Sequence, residues 1–184
     1  MIGAAFAATL AKAQNGDDAA FTCIFRDVQP ALVRYLRVIA PAAADDVAGD
    51  TWVHVVDGLT GFRGDEAAFR AWLFTIARHR AADRGRWRAR HPTITLDDSA
   101  AAERLTAPDA AEAALDRIGT RTALAAVAQL PRDQAEIIML RVVAGLDTRQ
   151  VARITGKSPG AVRVAAHRGL RRLASVASST GVIT

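Results

Sequence analysis

The chain has one cysteine, Cys23, in 184 residues, which excludes an internal disulfide and any cysteine-based metal cluster. On its apolar helix face Cys23 is expected to be a small buried residue. Aromatic residues make up only 5% of the chain and β-branched runs are scarce, so a sizeable sheet is not expected. No apolar stretch approaches the roughly 20 residues that a membrane span needs. The opening MIGAAFAATLAKAQ has no basic leading region, and Lys12 and Gln14 follow at amphipathic spacing, so it reads as a short first helix rather than a signal peptide. The four histidines (His54, His79, His91 and His167) stand in no ligand spacing. Gly58, Gly61 and Gly64 lack the lysine that a phosphate-binding glycine loop requires. No serine, histidine and acid group together. The expectation is a cytoplasmic, non-enzymatic protein without cofactor, metal, catalytic residue or membrane insertion.

Lysine is also nearly absent: two Lys stand against 22 Arg, which weakens arginine richness as a signal by itself. Its distribution says more than the net +5. Residues 45–57 hold Asp45, Asp46, Asp50 and Asp57 without a cation, and residues 78–90 hold six Arg against Asp83. Residues 97–116 carry six acids against Arg104, and residues 141–173 carry eight Lys or Arg against Asp147. Two basic modules flanking an acidic connector suggest two contacts with one polyanion. The 51% hydrophobic content is inflated by alanine, so the cores are expected to be small and helical.

The segment Leu130 to Leu173 reads as a helix-turn-helix. Leu130-Pro131 opens a helix with Ile137, Ile138, Leu140 and Val143 on its apolar face, and Gly145 ends it in a left-handed turn. Asp147 caps the next helix, Thr148 to Thr155, with Gln150 reaching back as in a capping box. Gly156-Lys157 makes a tight turn, Ser158 is the next N-cap and Pro159 takes N1. Val162, Ala166, Gly169, Leu170 and Leu173 are then expected inward, with Arg163, His167, Arg168, Arg171 and Arg172 outward. A glycine turn followed by a helix with outward arginines suits the major groove. The bland alternative is a solvated basic face on an ordinary helical hairpin.

The N-terminal half reads as helices too. Phe21, Ile24, Phe25, Val28, Leu32, Tyr35, Leu36 and Ile39 share one face of a long helix ending near Pro41. A second helix from Ala44 places Trp52, Val55, Val56 and Leu59 inward, with Asp46, Asp50 and Asp57 on the opposite side. Its acids fit two readings, a binding face and an ordinary solvated surface. Gly58 to Gly64 is a loop. A third helix from Asp65 or Glu66 turns Phe69, Trp72, Leu73, Ile76 and Ala77 inward, then becomes an arginine ladder with Trp87 embedded. Arginines interleaved with an aromatic suit phosphate contact and base stacking.

The order of an acidic helix, FRGDEAAFRAWLFTIARHRAADRGRWRAR (Phe62 to Arg90), an acidic linker and LPRDQAEIIMLRVVAGLDTRQVARITGKSPGAVRVAAHRGLRRL (Leu130 to Leu173) resembles a bacterial RNA polymerase sigma factor of the extracytoplasmic-function type. The resemblance covers about residues 17–174. It implies an all-α chain of two small helical domains joined by a flexible acidic linker: a region 2-like bundle at 1–92, linker at 93–114, a region 4-like helix-turn-helix at 115–176 and a tail at 177–184. It implies core RNA polymerase (β′ coiled coil and β flap) and promoter DNA as partners, and an anti-sigma protein as a further one. By resemblance Asp45, Asp46 and Asp50 dock on polymerase, although the family often has glutamine where this chain has Gly49. The loop Gly61 to Glu66 and the following helix correspond to the part that melts the −10 element, which places Arg63, Trp72, Arg78, Arg80, Arg84, Trp87 and Arg88 there. Contacts with the −35 element fall to Ser158, Arg163, Val164, His167, Arg168 and Arg171. The rival readings are an autonomous repressor or activator, which needs a dimer interface to read a palindrome, and a helical interaction protein whose arginines reflect codon bias. No spare apolar helix is evident for a dimer.

Overall fold

The computed structural model describes residues 1–90 and 112–179, and every regular element among them is helical. The expected linker at 93–114 therefore lies almost wholly outside the described residues, as does the end of the tail. A 3-10 turn at Gly3–Ala5 leads into α1 (Phe6–Gln14), followed by α2 (Asp18–Ile39), α3 (Ala44–Leu59) and α4 (Glu66–Arg90). These four form an N-terminal unit. The C-terminal unit comprises α5 (Glu112–Ala128), α6 (Arg132–Ile138), α7 (Thr148–Thr155) and α8 (Pro159–Ser179).

The N-terminal core is built on the long stripe of α2. Ile24, Val28, Leu32, Tyr35 and Leu36 are buried against Val47 and Val55 of α3 and Phe69, Leu73, Phe74 and Ala77 of α4. Asp17 caps α2 by accepting from Ala20 N at 2.9 Å, and Asp65 caps α4 by accepting from Ala68 N at 2.7 Å. Pro30 lies inside α2 on an exposed position, where the carbonyl it leaves unbonded can face water.

Three expected inward positions are corrected, each by one residue. Cys23 is exposed while its neighbour Ile24 is buried; Val56 is 53% exposed beside buried Val55; Leu170 is 51% exposed beside buried Gly169. One step along a helix turns a side chain by about 100°, enough to carry it from core to water. The first helix of the C-terminal hairpin also differs in form. α6 ends at Ile138 and runs on as a π-helical turn over Met139–Val143, with Ala144 N bonded to Met139 O at 3.0 Å.

The two units pack directly on one another, with α6 and the π turn against α2, and α7 against α4. Their buried side chains join one continuous cluster.

Candidate nucleic-acid interface

The helix-turn-helix is set by local chemistry before any long-range packing. Asp147 Oδ1 accepts from Gln150 N at 2.8 Å, and Gln150 Oε1 accepts from Asp147 N at 2.8 Å, a complete capping box. The Gln150 N–H first, and the Arg149 N–H after it, hold the Asp147 carboxyl below its ordinary range. Gly145 and Gly156 both take φ +68°, the left-handed turns on either side of α7. Ser158 Oγ then accepts from Ala161 N at 3.2 Å, which caps α8 and leaves the hydroxyl hydrogen free to donate to a phosphate.

Packing then fixes which side of α8 faces out. Val162 is fully buried, and Gly169 lets α8 approach α6 at Ile138. Ser158, Arg163, Val164, His167, Arg168 and Arg171 are all exposed. Among the described residues the side chains of Arg163, His167, Arg168 and Arg171 make no hydrogen bond or ion pair. The helix offers free guanidinium groups on one face over a buried apolar back. That face can bond base edges and phosphate oxygens together.

The second candidate patch is the loop before α4 and the arginine ladder beyond it. Arg63 donates to Thr60 O at 2.8 Å and Phe62 O at 2.7 Å, so in this state it staples the loop. Gln14 Nε2 holds the same loop by donating to Leu59 O at 2.8 Å and Phe62 O at 2.9 Å. Trp72 is half-buried, stacked on Phe62 at 5.1 Å between ring centroids and edge-on to Phe69. Its ring lies against Gly58, where an added Cβ would meet it at 2.8 Å. Trp72 therefore supports the loop, and its stacked partner Phe62 belongs with it. Farther along α4, Arg78 is paired with Glu136, Arg80 faces Asp83 at 4.0 Å, and Arg84 donates to Asp46 Oδ2 at 3.1 Å. Trp87 is 42% exposed; the Arg88 side chain falls outside the described residues.

The third patch is acidic. Asp45, Asp46 and Asp50 are exposed on α3, and Val53 (58% exposed) and Val56 lie on the outer surface of the same helix. Nothing stands within 4 Å of a Cβ added at Gly49, so that position is open surface. An acidic surface bearing exposed valines fits a basic, partly apolar partner.

Several roles that matter to the arrangement escaped the sequence reading. Arg70 and Glu136 are buried, Gln150 is buried as well as capping α7 as expected, and Tyr35 was expected only as core. Arg70 donates to Asp27 and to Ala144 O at 2.9 Å; Tyr35 donates to Glu136. A signal for Arg70 did exist, since it falls on the same stripe as Leu73, Phe74 and Ala77, where a charge requires a partner.

The sigma-70 region 2 family model matches residues 24–91, and the sigma-70 region 4 model matches residues 120–173. The chain is 34% identical over 183 residues to the ECF RNA polymerase sigma factor SigD of Mycobacterium tuberculosis, covering 94% of this chain and 84% of that protein. It is also 34% identical to the ECF RNA polymerase sigma factor ShbA of Streptomyces griseus, covering 90% and 92% respectively. Among solved structures it is similar to the sigma factor RpoE of Bartonella quintana, seen with the anti-sigma factor NepR, at 25% identity and a TM-score of 0.64. That likeness covers 86% of this chain and 96% of the other.

Proposed function

The chain belongs to the sigma-70 family, in its extracytoplasmic-function branch, and from that membership we propose how its exposed faces divide the work of promoter recognition. It is a transcription initiation factor that directs RNA polymerase to promoters. The unit at 1–92 serves the −10 element and the polymerase, and the unit at 115–176 serves the −35 element. Arg163, His167 and Arg168 read base edges, with Val164 against a base methyl group and Ser158 and Arg171 on phosphates. Arg63, Arg78, Arg80, Arg84 and Arg88 hold the −10 backbone, while Trp72 shapes the melting loop and Trp87 stacks or wedges on bases. Asp45, Asp46 and Asp50 dock on the β′ coiled coil, the region 4-like unit meets the β flap, and an anti-sigma protein is a further partner. The factor works in the cytoplasm and has no chemistry of its own, because the polymerase makes the bonds.

One observation carries this division. Among the described residues, α8 presents Arg163, His167, Arg168 and Arg171 on its outer face without an acidic partner. Gel shifts with and without core polymerase, followed by run-off transcription, test it. The expected result is a promoter-specific shift and transcript only with core enzyme present. Specific binding of a palindrome by the chain alone, as a dimer, would instead indicate a repressor or activator.

A further inference from the structure

Two side chains hold carbonyl oxygens of the loop between α3 and α4. Arg63 donates to Thr60 O and Phe62 O, and Gln14, the last residue of α1, donates to Leu59 O and Phe62 O. At the far end of the loop, the Glu66 carboxylate accepts from Ile2 N at 3.1 Å and Gly3 N at 2.8 Å. Between these ends, buried Phe6 of α1 lies 5.7 Å from Phe69, which meets Phe62 edge-on at 5.5 Å. The chain ahead of α2 thus reaches the loop at its start, its middle and its end. All of this segment precedes residue 24, where the match to the region 2 family begins.

The two donors do different things. Arg63 bonds carbonyls one and three residues away, so it shapes the loop from within and moves with it. Gln14 reaches 45 and 48 residues along the chain, from a helix whose Phe6, Leu10 and Ala13 are buried in the core. Its carboxamide therefore anchors the loop to the rest of the unit. An ordinary cap on the end of α3 would bond Leu59 O alone, whereas the second bond, to Phe62 O, lies within the loop. Two bonds from one group to carbonyls three residues apart fix orientation as well as position.

Fixing a loop in advance matters when it must capture an unstacked base. A loop that is still mobile has to be ordered at the moment of capture, and that cost is subtracted from binding. We propose that α1 is the brace of the melting loop: Gln14, with Glu66 at the other end, is a positioning residue that holds the loop ready for strand capture without itself contacting DNA. This rests on the reading of Gly61 to Glu66 as the part that opens the −10 element.

The test uses the full chain with core polymerase and a promoter duplex that the unaltered holoenzyme selects from a random library. A fluorescent adenine analogue in the −10 element reports opening, and anisotropy reports binding to core enzyme and to the −35 duplex. Gln14→Met keeps the length of the side chain and removes both donors. Opening should slow about tenfold, as the loss of two ordinary hydrogen bonds implies, while core binding and −35 affinity stay unchanged. Gln14→Lys returns a donor that can reach both carbonyls and should recover most of the rate. Glu66→Gln leaves one acceptor oxygen for two backbone N–H groups and should slow opening by less, so misfolding of one variant leaves the question decidable. Unchanged opening in folded Gln14→Met and Glu66→Gln, beside an impaired Arg63→Ala, would overturn the brace and keep the role of the loop. Unchanged opening in all three would overturn it as well, and would trace the failure to the reading of the loop. An equal fall in opening, core binding and −35 affinity would make Gln14 a support of the fold alone, which also overturns the proposal.

Discussion

A Cβ placed on Gly169 would stand 2.5 Å from Cδ1 of Ile138, closer than two carbons can approach, with Gln134 Cβ a further 3.4 Å contact. Gly169 is thus a point of close approach of α8 to α6, on the side of α8 opposite its outer arginines. Ile138 is 4% exposed and has little room to yield. Gly169→Ala should destabilise the fold by about 1–3 kcal/mol, as overpacking does in tight cores. It should also weaken −35 binding without touching a base-reading residue. Thermal unfolding together with −35 duplex binding by the holoenzyme checks this; unchanged values in both would mean the helices separate at little cost.

What the sequence made legible was local. Asp147, Gln150, Gly156, Ser158 and Pro159 act within a few residues of themselves, and α7 runs from Thr148 to Thr155 as expected. The acidic face of α3 and the helix beginning at Glu66 were readable for the same reason. Positions one step off a stripe, such as Val56 and Leu170, were misplaced because alanine-rich helices leave the width of the apolar face ill-defined. The Tyr35–Glu136–Arg78 cluster was not legible, since its members stand 101 and 58 residues apart in the chain. Only tertiary contact creates it.

Asp147 offers a test by pH. Its carboxyl is depressed by the Gln150 N–H, so its contribution is present above the ordinary carboxylate value and is lost as pH falls through the lowered one. Asp147→Asn keeps a capping oxygen and should be mild at neutral pH while flattening acid sensitivity; Asp147→Ala should lower stability at every pH. Urea midpoints across the acid range would show it. An Asn variant with unaltered acid sensitivity would assign that sensitivity to another carboxyl.

Tyr35 is the only tyrosine in the chain, so its phenolate absorbance is a specific probe of its contact with Glu136, where α2 meets α6. Burial first, then the neighbouring Glu136 charge, raises its ionisation well above the usual value of 10.0. A raised folded value means this contribution to the folded chain is complete below the ordinary phenol range and lost as pH climbs through the raised one. Alkaline titration should show phenolate forming late in the native chain and closer to the ordinary range in Glu136→Gln. Identical titrations in both proteins would show that Glu136 does not govern Tyr35.

The acidic face makes a separate prediction. Asp46→Lys combined with Asp50→Lys should weaken binding of core polymerase about tenfold or more, because a like charge then meets the basic partner. The Asp46–Arg84 pair is lost as well, but exposed pairs contribute about 1 kcal/mol or less, so the unfolding midpoint should barely move. Co-purification with core enzyme, beside a melting curve, reads both. Full retention in a variant of normal stability would remove the polymerase role from this face.

Arg163 is the most demanding case, because it separates reading from clamping. It projects from the second turn of α8, exposed and without a partner among the described residues. A planar guanidinium can bond O6 and N7 of one guanine together, a geometry that lysine cannot reproduce. Losing such a pair costs roughly 1–3 kcal/mol, or about five- to a hundredfold in affinity. A phosphate contact would behave differently: Arg163→Lys would then be mild and indifferent to sequence. Transcription from promoters with each −35 position randomised distinguishes the two. Arg163→Ala should relax preference at one or two adjacent positions, and Arg163→Lys should do nearly the same. An even loss across the whole set would make Arg163 a clamp and leave base reading to His167 and Arg168.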